Sequence, residues 1–129
     1  MPLSAYARKA ALDWLLGGAT PTRPTVWFMG LSLGTPSSTS GSEASVSAYV
    51  RKTAVFGAAA SPGGSASNAT AIIFTVSSAC TLFGAQVWDT NLASNSGNML
   101  WYGQLSASSV MVAGDTLSIA IGSAILTLA

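Results

Sequence analysis

The sequence predicts a mainly β protein: an antiparallel β-sandwich, jelly-roll-like, of about eight strands, with one N-terminal α-helix. Three observations lead there. From residue 25 onward, short segments rich in Val, Ile, Thr, Phe and Trp recur between Gly, Ser and Asn clusters that serve as turns. Only one stretch has helical periodicity with both helix-end signals. No repeat of fixed period runs through the chain, which argues against a propeller or solenoid, and eight is the strand number of a jelly roll.

The helix comes first. Ser4 stands before Ala5-Tyr6-Ala7-Arg8-Lys9-Ala10-Ala11-Leu12-Asp13-Trp14-Leu15-Leu16, and Gly17-Gly18 follow, so an N-cap hydroxyl, three helical turns and a glycine stop occur in order. Ala7, Ala11, Trp14 and Leu15 fall at i, i+4, i+7 and i+8, a small-residue stripe beside one large aromatic. A free helix of about 12 residues is marginal in water, so this one must be held by apolar contacts. Pro21 and Pro24 make the next segment an extended linker. Residues 1–20 are expected to form a helical arm, and residues 25–129 the β-sandwich domain.

Strands are expected at residues 25–34, 45–57, 70–76, 81–89, 99–105, 109–112, 116–121 and 124–128. The second alternates, with Tyr49, Arg51, Thr53 and Val55 on one side and Val50, Lys52, Ala54 and Phe56 on the other. Residues 61–68, with Pro62, Gly63 and Gly64, form a loop by composition. Ala113-Gly114-Asp115 and Gly122-Ser123 are hairpin turns.

Composition narrows the function. With no His and a single Cys80, the chain lacks the imidazole and thiolate that most transition-metal sites use and cannot close an internal disulfide. Chemistry that needs a His base is excluded. Five cations and a formal net charge of +1 make a basic nucleic-acid-binding face improbable. Nine charges over a surface of roughly 6,000 Å² leave an exterior of small neutral residues, which repels neighbours weakly. Pro62, Gly63, Gly64 and Asn68 interrupt the longest uncharged stretch, so no membrane span is expected. The apolar run after Arg8 and Lys9 is too short for a signal peptide, which points to synthesis in the cytoplasm.

The motifs carry little chemistry. Gly30-Leu31-Ser32-Leu33-Gly34 matches the nucleophile-elbow pattern, but the chain has no His, and Pro36 stands where the helix should begin. Lys9 beside Arg8 and Lys52 beside Arg51 lack Ser-x-x-Lys spacing, and all four are expected to be solvated. Asp13, Glu43, Asp89 and Asp115 are scattered, Asp89 and Asp115 as turn residues. Oxygens near Asn91, Asn95 and Asn98 offer a low-density calcium possibility. Asn68-Ala69-Thr70 is a sequon without a secretory route. Cys80 is expected to be an unreactive packing residue. No catalytic, cofactor-binding or metal-ligating residue is assigned. Adjacent aromatics on a strand face opposite ways, so one ring of Trp27-Phe28 and one of Trp101-Tyr102 can fill the core while the other meets solvent or a partner. Leu12, Trp14, Leu15 and Trp101 are the candidate interface residues.

The order of features resembles small bacteriophage structural proteins of the tail-fibre or virion type. It is carried by Ala7-Arg8-Lys9-Ala10, Leu15-Leu16-Gly17-Gly18, Gly30-Leu31 and Tyr49-Val50-Arg51-Lys52, then Gly63-Gly64-Ser65-Ala66-Ser67-Asn68 and Trp88-Asp89. Gly97-Asn98-Met99-Leu100-Trp101-Tyr102-Gly103 and Ala113-Gly114-Asp115-Thr116-Leu117 complete it. Trp27-Phe28-Met29 departs from the Arg-Phe-Val that this family more often carries before Gly30. The resemblance implies a multi-copy virion part without catalysis. A compact domain lacking heptads favours a capsid decoration or cement subunit, with a tail-fibre or baseplate knob binding host-surface glycan through an exposed aromatic as the alternative. Expected partners are other copies of the chain, in a trimer, and the major capsid protein or other virion proteins, with neither nucleic acid nor membrane. The expected location is the virion, and no cofactor is expected.

Overall fold

The computed structural model describes residues 1–46, 48–93 and 96–128. The architecture is mainly β, antiparallel and sandwich-like, with eight strands and one α-helix among the described residues. The helix, α1, spans Ala5–Leu15 and begins as the sequence predicts: the Ser4 hydroxyl accepts a hydrogen bond from Ala7 N at 3.1 Å. The strands are β1 (Trp27–Ser32), β2 (Lys52–Ala54), β3 (Ser65–Ser67), β4 (Ile72–Thr75), β5 (Cys80–Trp88), β6 (Met99–Met111), β7 (Thr116–Ile119) and β8 (Ile125–Thr127).

One four-stranded sheet runs β2-β1-β5-β6, and two strand pairs, β3-β8 and β4-β7, complete the fold. Main-chain hydrogen bonds outside the strands connect these pieces. Ser4 N donates to Leu100 O at 2.8 Å and Tyr102 N to Pro2 O at 3.3 Å, while Thr127 N donates to Met1 O at 3.0 Å. Residues 1–4 therefore join β6 to β8. Beyond β3, Gly57 N donates to Ser67 O and Ala69 N to Val55 O, which returns the path to the end of β2. A closed circuit of backbone bonds results, and it satisfies sheet edges that would otherwise invite pairing with other chains. Its interior holds Met29, Leu31, Leu82, Val87 and Leu126, with Phe74 and Ile72 contributed by β4.

Several expected boundaries differ. The anticipated strand 45–57 shrinks to β2, because burial switches faces between Arg51 and Ala54 and the pleat is interrupted; Ser47 of that segment lies outside the described residues. The anticipated loop 61–68 ends in β3, since Ser65, Ala66 and Ser67 find partners in Thr127, Leu126 and Ile125. The segments 99–105 and 109–112 are one strand, β6. Opposite Phe83 its register jumps from Gln104, paired with Gly84, to Ser109, paired with Leu82. The anticipated break is thus a bulge, which bends the strand without ending it. Ahead of the helix, Leu3 and Ser4 are buried, and the Ser4 hydroxyl donates to Met99 O.

Candidate functional site

Two regions stand out, one inside and one outside. The inner one starts from Arg51, expected in solvent beside Lys52. Lys52 is exposed, but Arg51 is buried and its side chain is 0% accessible, as is that of Glu43. Arg51 Nε donates to Glu43 Oε1 at 2.6 Å and Nη2 to Glu43 Oε2 at 2.7 Å, the two-pronged geometry a guanidinium offers a carboxylate. Nη1 donates to the carbonyls of Thr90 and Ser96 at 2.8 and 2.9 Å, and the guanidinium carbon lies 3.9 Å from the centre of the Trp88 ring. A buried charge is tolerable only with this completeness of partners.

The network continues along β1 and β5. Gln86, fully buried, donates through Nε2 to Ser32 Oγ and to Gly41 O, and Trp88 Nε1 donates to Gln86 Oε1 at 3.4 Å. Tyr49 Oη accepts from Leu31 N at 2.9 Å and donates to Glu43 Oε1 at 3.2 Å. Burial pushes the Tyr49 phenol well above its ordinary range; the Glu43 charge adds to that, while the Leu31 hydrogen bond and Arg51 oppose it. Gly30 makes the crossing possible, since a Cβ there would stand 2.8 Å from Tyr49 Oη and 2.9 Å from Gln86 Oε1. Ser32 of the elbow-like motif is therefore a buried hydrogen-bond acceptor in mid-strand. Together these side chains tie Gly41 and Glu43, and the carbonyls of Thr90 and Ser96, to the main sheet.

The remaining polar candidates bind their own backbone. Asp89 accepts from Asn98 N at 2.8 Å and from Asn98 Nδ2 at 2.7 Å, and Asp115 Oδ2 accepts from Val112 N at 2.8 Å. Asn68 of the sequon is buried, with its amide donating to Thr70 O and Ala120 O and its oxygen accepting from Ala124 N. Asn95 lies outside the described residues. Cys80 is half-buried, and desolvation raises its thiol.

The outer region is the face built by α1 and the linker. None of the α1 residues is buried. Ala7, Ala10, Ala11 and Trp14 line a groove of about 480 Å³ together with Pro21 and Pro24 of the linker and with Leu3, Leu100 and Trp101. Trp101 is half-buried and its Nε1 donates to Thr127 O at 2.9 Å. Arg23, Trp101 and Leu128 also line a second groove of about 430 Å³ that extends along Trp27, Phe56 and Leu126. Of the four candidate interface residues, the fold brings Trp14 and Trp101 into one groove. Leu12 and Leu15 fall outside it, on the outward side of the helix, 56% and 68% exposed. The groove is centred on the Tyr6, Ala10 and Trp14 line of the helix, and Leu15, although one turn from Ala11, lies beyond its edge.

Sequence reasoning missed Tyr6 and Leu128 on this face and the Glu43–Arg51 pair within. Tyr6, Ala10 and Trp14 do recur at i, i+4 and i+8, a signal that was available. For Glu43 and Arg51 no local pattern exists, because they meet only through the path of the chain between them.

The family model of the Podophage GP4 fiber I protein gp80 matches residues 2–127. The chain belongs to this family. It is accordingly a structural protein of a phage virion, as the order of its motifs implied. The match spans the helix, the linker and all eight strands, so α1 and its face belong to the family's domain. Comparison with curated proteins gives no match.

Proposed function

We propose that the protein is a non-catalytic structural subunit of the phage fibre, joined to its neighbours through the α1–linker face. The observation that carries this reading is the placement of apolar side chains. Trp14, Leu15 and Leu16 are 65%, 68% and 81% exposed at one end of the only helix among the described residues, beside an apolar groove. Large contiguous apolar patches are uncommon on free-standing domains and mark contact surfaces. The polar side chains of the interior are meanwhile committed to one another: among the described residues no buried side-chain nitrogen or oxygen lacks a partner. Such groups serve to hold loops in place and are poorly disposed to reach a substrate. That the family is one of fiber proteins supports the fibre over the head.

Gold-labelled antibody raised against the folded chain and imaged on intact virions tests the assignment. Label along the fibres is expected. Label distributed over the head would overturn it in favour of a capsid decoration subunit.

A further inference from the structure

Residues 38–41 and 97–99, with residues 4–6 and Trp88, surround a pocket of about 400 Å³, separate from the two apolar grooves. Pockets that hold small ligands run from roughly 300 to 1,000 Å³. Hydrogen bonds fix each of its walls. Gln86 Nε2 donates to Gly41 O, and Asp89 accepts from both Asn98 N and Asn98 Nδ2. The Ser4 hydroxyl donates to Met99 O, and Ala5 N donates to Ser38 O at 2.8 Å. Arg51 holds the neighbouring Glu43 and the carbonyls of Thr90 and Ser96 in the same way. The buried polar network thus anchors the walls of this pocket, and a pocket already shaped costs less to fill.

The lining decides what the pocket can take. Among the described residues no charged side chain lines it, so it offers neither a cation for a phosphate or carboxylate nor a carboxylate for an amine. The hydroxyls of Tyr6, Ser38 and Thr39 make no hydrogen bond to other described residues, and Asn98, whose amide nitrogen is committed to Asp89, keeps its side-chain oxygen. These groups can donate as well as accept. Of the two aromatic rings in the lining, Trp88 is buried and Tyr6 is 44% exposed, so Tyr6 is the ring with surface to offer. An ion would find no counter-charge here, and a wholly apolar ligand would leave the hydroxyls and the amide oxygen without partners. What remains is a neutral ligand that carries hydroxyls on its rim and C–H groups on its face. We propose that this pocket binds a neutral sugar ring of a glycan. Tyr6 and Thr39 are exposed, so the ring can belong to a longer chain that continues into solvent.

The purified full chain, applied to an array of neutral and acidic glycans, tests this without the particle. Retention on at least one neutral glycan is expected, and adding that glycan in solution should shift the amide resonances of residues 4–6, 38–41 and 97–99. Tyr6→Ala should abolish retention. The double variant Ser38→Ala/Thr39→Ala removes two hydrogen-bonding groups and should weaken binding about tenfold. Trp14→Ala, in the neighbouring groove, should bind as the wild type does. All three should keep the far-UV circular dichroism of the wild type, which separates a lost contact from a lost fold. An array on which no neutral glycan retains the chain would overturn the proposal. So would retention on acidic glycans alone, resonance shifts confined to other residues, or binding that survives both pocket variants. Antibody label over the head would overturn the fibre assignment and leave this site standing, whereas a silent array would do the reverse.

Discussion

The crossing of Glu43, Arg51 and Trp88 and the outer face of α1 reverse the usual distribution of side chains. Two of the nine charged side chains of this chain are inside, while leucines and a tryptophan are outside. The difference lies in who satisfies whom. Inside, the carboxylate, the guanidinium, a phenol and two loop carbonyls complete one another, and nothing further is required. Outside, Leu12, Trp14, Leu15 and Leu16 complete nothing within the chain. The first region should govern whether the domain folds, and the second whether it assembles.

Substitutions should separate those roles, the largest effect coming from Arg51→Ala. It strands the Glu43 carboxylate without its counter-ion and releases the carbonyls of Thr90 and Ser96. Removing one partner of a buried pair costs about 3–5 kcal/mol, which urea denaturation would register as a large fall in midpoint. The double variant Glu43→Leu/Arg51→Met should lose less than Arg51→Ala alone; an equal loss would show that the pair is not coupled.

Tyr49→Phe comes next. It takes the acceptor from Leu31 N, at a cost of about 1–3 kcal/mol. It also tests a pH dependence. Because burial holds the folded-state phenol above its ordinary value of 10.0, the unfolded chain releases this proton first as pH rises. The stabilisation is complete below pH 10.0 and is lost progressively above it. Wild-type protein should therefore lose stability above that pH, and Tyr49→Phe should flatten the slope in an alkaline denaturation series. Gly30→Ala should fall in the same range, about 1–3 kcal/mol, since the added methyl overlaps Tyr49 Oη and Gln86 Oε1.

The smallest effect on stability is expected at the outer face. Trp14→Ala and Leu15→Ala remove side chains that are mostly in water, so the melting curve should move by no more than about 0.5 kcal/mol. Incorporation into virions should fall nonetheless. Truncation sharpens the contrast between the two regions. Removing residues 1–20 also strips the bonds from Pro2 and Ser4 to β6 and from Met1 to β8, and should lower thermal stability. The multiple substitution Leu12→Ser/Trp14→Ser/Leu15→Ser should leave the melting temperature nearly unchanged.

Much of this fold was legible in the chain because its signals are local. The Ser4 cap, the periodicity of α1 and the Gly17 stop lie within one short stretch, and each acts on backbone groups a few residues away. The strands β4, β5, β7 and β8 appeared near their expected positions for the same reason: turn residues bracket short apolar runs. The stretch 106–108 read as a gap because its Ser and Ala residues lack strand character, and it proved to be the place where β6 bulges. The candidate face was half legible. Trp14 follows from the helical stripe and Trp101 from an adjacent aromatic pair on a strand, but that they share a groove depends on residues 1–4 pairing with β6 and carrying the helix to it.

By itself the sequence determined the element types, the helix ends, the low surface charge and, through the order of its motifs, the kind of protein this is. Tertiary structure alone decided which strands meet, that residues 1–4 and 125–127 close the circuit, and that Arg51 turns inward while Lys52 does not. The physical reason is the range of the interactions. Caps, turns and pleat alternation act between neighbours and are written in adjacent letters. A buried ion pair is favourable only when Glu43, Trp88, Thr90 and Ser96 arrive together around one guanidinium, and those residues are brought together only by the completed sheet.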